Sequence, residues 1–301
     1  MKVAIFARNV NEKWLDRACS IIENLMGRGM EIICYRAFYE KIESRCRIKE
    51  LHCNLFEKSS LFSGASDLPD DTDILLSLGG DGTFLESVSI IGERGIRIAG
   101  INFGRLGFLT SVDSWSHSKW MEKLASGDYI TKKRSLLEVS YPDMPKDFSG
   151  YALNEVTFHR SDPSMLALHI SVNGVELPVY WADGLVLATP TGSTAYSLSV
   201  GGPIALPDVK ATILAPIAPH NLNVRPLVIP EDFVVEVFVE SRGGGVVLSL
   251  DNRSIYIAEK RKVTISKANH QIEYILFNSD GGNFIAALEE KLMWGKDRRN
   301  N

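Results

Sequence analysis

The first residues that can do chemistry form a glycine-rich turn around one carboxylate, Gly79-Gly80-Asp81-Gly82-Thr83. An apolar run typical of a buried strand precedes this turn, and a helical pattern follows it. Glycines let a phosphate approach the backbone, and the N–H groups at the start of a helix attract an anion. Asp81 can then accept a proton from a hydroxyl nucleophile or orient a metal-bound phosphate. The structural alternative is that Asp81 or Thr83 caps the helix. The position at the carboxyl end of a predicted parallel strand favours a ligand site.

A second glycine-containing loop follows the next predicted strand, with the sequence Asn102-Phe103-Gly104-Arg105-Leu106-Gly107-Phe108-Leu109. Asn102 can hydrogen-bond a polar ligand, Gly107 permits close approach, and Phe108 offers an apolar face. A buried loop leading into a second domain would have the same composition, so both interpretations stay open. The chain contains neither a G-x-x-x-x-G-K-[ST] loop nor a G-x-G-x-x-G helix start. Any phosphate binding here therefore uses a different arrangement.

Two adjacent polar residues, Asn154 and Glu155, interrupt the predicted strand from Ala152 to His159. Successive side chains of a strand point to opposite faces, so one of the two must face inwards. A buried carboxylate needs hydrogen-bond partners, and a ribose or an adenine can supply them. The alternative is an edge strand on which both side chains are hydrated.

The longest candidate segment begins with Asp183-Gly184 and continues from Thr189 to Pro203 as Thr-Pro-Thr-Gly-Ser-Thr-Ala-Tyr-Ser-Leu-Ser-Val-Gly-Gly-Pro. Small hydroxyl residues and glycines at this density let the backbone approach a nucleotide while the hydroxyls bond its sugar or base. Tyr196 adds a stacking ring and a phenol. A plain linker is the alternative, but strand-like apolar runs flank the segment on both sides.

Among the histidines, only His220 has a suggestive setting, in a loop that prolines constrain between Pro216 and Pro226. Such a loop can hold His220 and Arg225 near a phosphate. A solvated loop histidine is the alternative.

The elements that position these groups show two different patterns of apolar residues, one in the first third of the chain and one after about residue 133. The first third alternates apolar runs with amphipathic segments, which is typical of a parallel sheet with crossover helices. We predict strands at 3–6, 32–35, 74–78 and 96–103, a helix at 12–26, loops between about 40 and 70, and a helix from Phe84 onwards. The glycines after residue 26 stand where a helix C-cap belongs.

After about residue 133 the pattern changes to short alternating runs, which indicates an all-β, sandwich-like domain. We predict strands at 136–141, 152–159, 166–172, 185–188, 233–239, 246–250 and 263–266. Asn173-Gly174 is typical of a two-residue hairpin turn. A last helix, 283–294, is expected to pack back on the first domain. The predicted domains are therefore residues 1–133 together with 272–301, and residues 134–271.

Composition narrows the class of protein. The chain has 301 residues, 45% of them hydrophobic, and a formal net charge of −4. A protein that neutralises nucleic-acid phosphates is usually basic, so no nucleic-acid partner is expected. The four cysteines form no C-x-x-C pair, and no apolar run reaches the roughly 20 residues of a membrane span. We expect a cytoplasmic protein with reduced thiols, no membrane association and small-molecule partners.

These segments, in this order, resemble the NAD kinase family, and the resemblance covers nearly the whole chain beyond residue 70. The turn around Asp81 is also similar to diacylglycerol kinases, sphingosine kinases and phosphofructokinases, whereas the Thr189–Tyr196 run is far more selective. The resemblance implies a Rossmann-like N-terminal domain and a β-rich NAD-binding domain. It also implies Mg²⁺-dependent transfer of the γ-phosphoryl group of ATP to the 2′-hydroxyl of the adenosine ribose of NAD, in a homodimer or homotetramer.

The same resemblance implies Asp81 as the catalytic carboxylate, and we expect no metal-ligating protein side chain. The candidate residues for binding NAD or ATP are Gly80, Gly82, Thr83, Asn102, Gly107, Phe108, Asn154, Glu155, Asp183, Thr194, Ala195, Tyr196, Ser199 and His220. The chain departs from the family pattern at Trp181, where many bacterial members have Arg, and at Asp251-Asn252-Arg253, where Asp-Gly-Gln is common. We assign no role to the second segment.

Two other functions fit parts of the sequence. A lipid or sugar kinase would share only the turn around Asp81, and the chain lacks an amphipathic membrane-binding segment. A non-catalytic dinucleotide sensor would keep the pocket, but such a protein has no need of a base at Asp81.

Overall fold

The computed structural model describes residues 1–8, 11–48, 61–103, 107–110, 112–113, 119–241, 244–277 and 284–293. The chain divides into two compact units: Met1–Lys133 with Ile272–Asn301 form the N-terminal unit, and Arg134–Gln271 form the C-terminal unit. Within the described ranges, none of the helices is both long enough and apolar enough to cross a membrane.

The helices are α1 (Glu12–Gly27), α2 (Arg36–Ile48), α3 (Asp81–Ile91), α4 (Lys119–Ser126), α5 (Tyr196–Ser199) and α6 (Phe284–Leu292). The first six strands are β1 (Lys2–Phe6), β2 (Glu31–Tyr35), β3 (Leu61–Phe62), β4 (Ile74–Leu78), β5 (Arg97–Asn102) and β6 (Val112–Asp113). The remaining strands are β7 (Ile130–Ser140), β8 (Tyr151–Ala152), β9 (Glu155–Arg160), β10 (Leu166–Val172), β11 (Val175–Glu176), β12 (Tyr180–Ala182), β13 (Gly184–Ala188), β14 (Ala211–Ile217), β15 (Leu227–Pro230), β16 (Val235–Glu240), β17 (Val246–Leu250), β18 (Arg253–Ile257) and β19 (Lys262–Leu276).

The N-terminal unit is built on a parallel sheet in the order β3-β2-β1-β4-β5, and the end of β19 joins β5 through Tyr274 and Ile98. Strands β1 and β4 are almost wholly buried, as expected for strands covered on both faces. Helix α1 buries its apolar face, including Leu15 and Ile22, in the core that these strands share.

The order of these strands places the two glycine loops side by side. Because β4 and β5 are parallel neighbours, their carboxyl ends lie at the same edge of the sheet. The Gly79 N–H, just after β4, donates to the Ile101 carbonyl in β5 at 2.9 Å. Residues 79–83 and 107–110 therefore leave the sheet at neighbouring positions.

The C-terminal unit contains two sheets around one apolar core. One sheet has the order β15-β14-β13-β9-β17-β18, and the other includes β11-β10-β16-β19. Core residues come from both sheets, for example Phe158 and Leu248 from the first and Leu168 and Val237 from the second. Strand β9 lies between β13 and β17, so it is an interior strand and not an edge strand.

The predicted fold class, an α/β N-terminal domain followed by a β-rich domain, is confirmed. The hairpin turn at Asn173-Gly174 is confirmed too, since both residues have positive φ, 50° and 82°, and β10 pairs with β11 across it. Helix α6 occupies residues 284–292 of the predicted last helix, and positions 283 and 294 lie outside the described residues.

Three local predictions were wrong. Residues 40–48, predicted as loop, belong to helix α2 (Arg36–Ile48), because Phe38 and Ile42 bury one narrow face among many charges; residues 49–60 lie outside the described part. Helix α3 begins at Asp81 and not at Phe84. The single strand from Ala152 to His159 is broken into β8 and β9.

Candidate active site

The Asp81 carboxylate is held by the backbone of the second glycine loop. Its Oδ2 accepts the Phe108 N–H at 2.7 Å. Its Oδ1 accepts the Leu109 N–H at 3.1 Å, and the N–H and hydroxyl of Thr110, both at 3.2 Å. Four donors from another strand end therefore fix the orientation of this side chain.

Gly107 is required by this arrangement. A Cβ atom at position 107 would lie 1.7 Å from Asp81 Oδ1 and 2.6 Å from Thr110 Oγ1, so no larger residue fits without moving the carboxylate. Thr110, which is fully buried, supports the same loop because its Oγ1 accepts the Gly107 N–H at 3.2 Å. The residues 104–106 of this predicted loop lie outside the described part of the chain.

The turn before α3 is shaped by close contacts of its own. A Cβ atom at Gly79 would lie 2.5 Å from Thr83 Oγ1, and the N–H groups of Thr83 and Phe84 donate to the Gly80 carbonyl at 3.0 and 3.1 Å. Gly80 and Gly82 are exposed. Gly80 is the N-cap of α3 and Asp81 is its first residue, with its carboxylate bonded to the loop 107–110, so the interpretation of Asp81 or Thr83 as the helix cap is wrong.

Asn102, the last residue of β5, is 2% exposed and lies at the same sheet edge. The ring of Phe108 packs against Phe284 of α6, with centroids 6.2 Å apart. The structure therefore brings Asn102, Gly107 and Phe108 to the strand ends that carry Asp81.

In the C-terminal unit, Asn154 lies in the break between β8 and β9, and Glu155 is the first residue of β9. Each residue is only 8% exposed, so the interpretation as hydrated residues of an edge strand is wrong. The backbone of this break is held by Asp251, whose carboxylate accepts the N–H groups of Leu153, Asn154 and Glu155 at 2.8, 2.7 and 3.1 Å. Asp251 itself has a φ of 52° in the turn between β17 and β18.

The carboxyl groups of Glu155 and Asp251 influence each other. Burial, and after it the charge of Asp251, raise the pKa of Glu155 to about 8, against the opposing effect of a hydrogen bond with the Tyr196 backbone. Burial raises the pKa of Asp251 as well, but three backbone N–H groups and Arg253 favour its charged form. Because Asp251 has more donors, the proton that the pair takes up near neutral pH belongs on Glu155.

Two buried oxygen atoms at this break have no hydrogen-bond partner in the described part of the protein, Asn154 Oδ1 and Glu155 Oε2. Buried polar atoms in folded proteins are nearly always paired. Adjacent unpaired acceptors are therefore typical of a site that a ligand completes.

The hydroxyl-rich segment packs directly on this break. The Thr189 N–H donates to the Asn154 carbonyl at 2.9 Å, and its hydroxyl donates to the Leu153 carbonyl at 2.6 Å. A Cβ atom at Gly192 would lie 2.1 Å from the Asn154 carbonyl oxygen. The segment continues as a 3₁₀ turn, Thr191–Thr194, and then as α5.

Tyr196 stacks on His159, with ring centroids 5.5 Å apart and planes at 17°. Burial lowers the pKa of His159 and raises that of Tyr196. Thr194 and Ala195 are partly buried beside this ring pair, and Ser199 is exposed at the end of α5.

Asp183 pairs with Arg160 at 3.1 Å, next to Gly184, where a Cβ atom would lie 2.1 Å from the Phe158 carbonyl oxygen. The exposed His220 is held by its backbone, since its N–H donates to the Trp181 carbonyl at 2.7 Å. The guanidinium of Arg225 turns back to its own loop and donates to the Leu222 and Val224 carbonyls at 2.7 and 2.8 Å.

The predicted residues of the N-terminal unit lie around Asp81, and Tyr196 of the C-terminal unit lies at Glu155. The contacts of the exposed Ser199 and His220 described above do not join them to either group. The sequence interpretation missed Thr110 and Asp251. Thr110 gave no signal beyond its place one residue after the loop. Asp251 stands where the family segment Asp-Gly-Gln also has Asp, which was a signal for it, but only the pairing of β17 with β9 brings this residue to the break.

Comparison with known proteins decides the family. Residues 3–129 match the family described as the ATP-NAD kinase N-terminal domain, and residues 153–277 match the ATP-NAD kinase C-terminal domain. The chain belongs to the NAD kinase family. Relatives in this family include the NAD kinase of Bacteroides fragilis, 38% identical over 99% of this chain and 100% of that protein. The NAD kinase of Porphyromonas gingivalis is 42% identical over 98% of both chains.

Solved structures of the family agree with this fold. The crystal structure of yeast NADH kinase complexed with NADH has a TM-score of 0.85 and 27% identity, and covers 100% of this chain and 90% of that chain. An NAD kinase from Archaeoglobus fulgidus in complex with ATP has a TM-score of 0.74 and 23% identity, over 96% of this chain and 99% of that chain, and shows the fold alone.

Proposed function

We propose that the protein transfers the γ-phosphoryl group of ATP to the 2′-hydroxyl of the adenosine ribose of NAD, with Asp81 accepting the hydroxyl proton. The observation that supports this role is the fixed position of the Asp81 carboxylate. The loop 107–110 orients it with three N–H groups and one hydroxyl. A carboxylate fixed by donors from a neighbouring strand is positioned before the substrate arrives, as general-base catalysis requires.

The hydrogen bonds distinguish the two oxygens of Asp81. Among the described residues, Oδ1 accepts three donors, whereas Oδ2 accepts the Phe108 N–H alone. A carboxylate oxygen has about two lone-pair sites, so Oδ2 keeps the free acceptor position. We assign the proton transfer to Oδ2.

The reaction follows from this assignment. The ribose oxygen forms a bond to the γ-phosphorus as the bond from that phosphorus to the bridging oxygen of ATP breaks, and ADP leaves. The hydroxyl proton goes to Asp81. Phosphoryl transfer needs mainly correct positioning of the reactants and stabilisation of charge. A single well-oriented base is therefore enough to activate the ribose hydroxyl.

For the dinucleotide, we propose that Asn154 Oδ1 and Glu155 Oε2 accept hydrogen bonds from the adenosine part of NAD. Both atoms are buried and unpaired within the described residues, and ribose hydroxyls and the adenine amino group are donors of the right kind. Glu155 carries a proton near neutral pH because burial raises its pKa to about 8, so its neutral carboxyl can both accept and donate.

The other predicted contacts with NAD or ATP stay proposals. On the N-terminal unit they are Gly80, Gly82, Thr83, Asn102, Gly107 and Phe108. On the C-terminal unit they are Asp183, Thr194, Ala195, Tyr196, Ser199 and His220. Support for Tyr196 is its ring stacking and its backbone bond to the Glu155 carboxyl.

We also propose that Mg²⁺ is required and arrives bound to ATP. In the parts of the chain that the structure describes, no three His, Cys, Asp or Glu side chains come together as a metal cage. Mg²⁺ in kinases usually keeps several waters and binds mainly to the substrate phosphates, with one or two carboxylates. The ion would neutralise phosphate charge during transfer.

A cytoplasmic homodimer or homotetramer is our proposal for the assembly, and light scattering after gel filtration would measure the subunit number.

Activity is tested by incubating the purified protein with NAD, ATP and Mg²⁺ and detecting NADP with an NADP-specific dehydrogenase. NADP formation is the expected result. Calorimetric binding of NADP without any phosphoryl transfer would instead identify a sensor.

A further inference from the structure

Helix α6 places a lysine over the loop that holds Asp81. The Nζ atom of Lys291 lies 3.9 Å from the centroid of the Phe108 ring. The backbone N–H of the same Phe108 donates to Asp81 Oδ2 at 2.7 Å. A single residue thus connects the ammonium group with the oxygen to which we assign proton transfer.

This ammonium group lacks the environment that lysines usually have. Long cationic side chains normally keep the charged end in water, but Nζ of Lys291 is buried and has no hydrogen-bond partner among the described residues. An ammonium group carries three donors, and the face of one aromatic ring satisfies them only in part. The group is therefore prepared for an acceptor that the chain itself does not supply.

The charges around Lys291 favour its ammonium form, which is the form that an anionic ligand needs. Burial lowers the pKa of Lys291, while the charges of Asp81 and Glu290 raise it. Asp81 does not serve as its hydrogen-bond partner, because among the described residues the carboxylate of Asp81 accepts its hydrogen bonds from the loop 107–110. Glu290 is exposed on the neighbouring position of α6.

We propose that Lys291 binds a phosphate group of the phosphoryl donor beside Asp81. The proposal rests on the proposed function, because it takes the triphosphate of ATP as the anion. Lysine is a common phosphate ligand that acts as a point charge. Charge on the transferring group and the leaving oxygen is what a kinase must stabilise, and a desolvated ammonium does this more strongly than a hydrated one.

Two substitutions separate charge from packing. Lys291→Met keeps an unbranched apolar stem over Phe108 and removes the charge, and Lys291→Arg keeps a positive charge. We expect Lys291→Met to lower kcat/KM for ATP at least about tenfold, since a charged hydrogen bond is lost. The dissociation constant for NAD should stay within about threefold of the wild-type value, and Lys291→Arg should recover part of the lost activity.

A matched control is Lys123→Met. Lys123 belongs to the same unit, and its Nζ donates to the Phe277 carbonyl at 2.6 Å, so this lysine has a structural partner. The control should lower the melting temperature without changing kcat/KM for ATP. If Lys291→Met shows the same behaviour as this control, the proposed phosphate contact is wrong.

A binding measurement keeps the test independent of catalysis. Inorganic tripolyphosphate, titrated into each variant by calorimetry, probes the anion site directly. Weaker binding to Lys291→Met than to the wild type and to Lys123→Met supports the proposal, and equal binding overturns it. If the wild-type protein makes no NADP, the proposed function fails, but this titration still decides whether Lys291 binds phosphate.

Discussion

Two hydrogen bonds join Glu155 and Asp251: the Asp251 carboxylate accepts the Glu155 N–H at 3.1 Å, and the Glu155 carbonyl accepts the Asp251 N–H at 2.9 Å. The same carboxylate takes two more N–H groups at the break between β8 and β9. Asp251 is thus the residue that positions the proposed NAD-binding side chains.

The first prediction concerns Asp251→Asn. The amide can offer only one acceptor oxygen where the carboxylate offers two, so at least one N–H of the break loses its partner. We expect the free energy of unfolding to fall by about 1–3 kcal/mol, and KM for NAD to rise more than KM for ATP. Urea denaturation and steady-state kinetics measure the two effects. The exposed Asn252→Ala serves as control, and an unchanged KM for NAD in Asp251→Asn would contradict the positioning role.

Gly107→Ala tests whether turnover depends on the position of the Asp81 carboxylate. The new methyl group would lie 1.7 Å from Asp81 Oδ1, so the carboxylate or the loop must move. We expect kcat to fall at least about a hundredfold, which corresponds to misplacement of a catalytic group by about 1 Å. Gly27→Ala is the matched control, because a Cβ at position 27 meets no atom within 4 Å. Normal turnover by Gly107→Ala would show that the position of the carboxylate is not critical.

Thr110→Val removes one donor to Asp81 and one acceptor for Gly107 while keeping the shape of the side chain. Because the three N–H groups remain, we expect a loss of kcat of up to about tenfold, the effect of one hydrogen bond. Thr110→Ser keeps the hydroxyl and should turn over faster than Thr110→Val. The opposite order of the two variants would argue that packing of the methyl group matters and the hydroxyl does not.

Glu155→Gln tests the buried proton. The pKa of Glu155 is about 8 in the folded protein against an ordinary value of 4.5. Between these values the folded state binds the proton that the unfolded state has lost, so the free energy of unfolding falls as pH rises. Glutamine cannot titrate, and the variant should therefore gain stability relative to wild type from about pH 5 to about pH 8.

Urea denaturation over this pH range measures the difference, and the exposed Glu259→Gln is the control. Parallel stability curves for wild type and Glu155→Gln would mean that Glu155 is ionised when folded. The same substitution should change KM for NAD less than Glu155→Ala does, because glutamine resembles a neutral carboxyl in shape.

Much of the fold could be predicted because the spacing of apolar residues and the residue types in turns largely determine the helices and strands. Strand β4 is apolar except for the buried Ser77, β10 is another mainly apolar strand, and the structure has both within the predicted bounds. Helix α2 was missed because its buried face depends on Phe38 and Ile42 among charged neighbours. Strand β18 alternates only weakly and is exposed on one face, so its pattern differs little from that of a loop.

The candidate site was predictable in residue type but not in contacts. Asp81 is conspicuous among its glycines, yet only the pairing of β4 with β5 brings the loop 107–110 to it. In the same way, Asp251 reaches Asn154 across a separation of 97 residues. Such long-range partners leave no local pattern in a single sequence, since they depend on strand order.

The most direct test of the account is the single-turnover rate of Asp81→Asn with NAD, ATP and Mg²⁺. We predict a rate at least about a hundredfold below wild type, the lower end of what a positioned base contributes, with calorimetric NAD affinity within about threefold of the wild-type value. A rate close to that of the wild-type protein would contradict the assignment of Asp81 as the residue that takes the ribose proton.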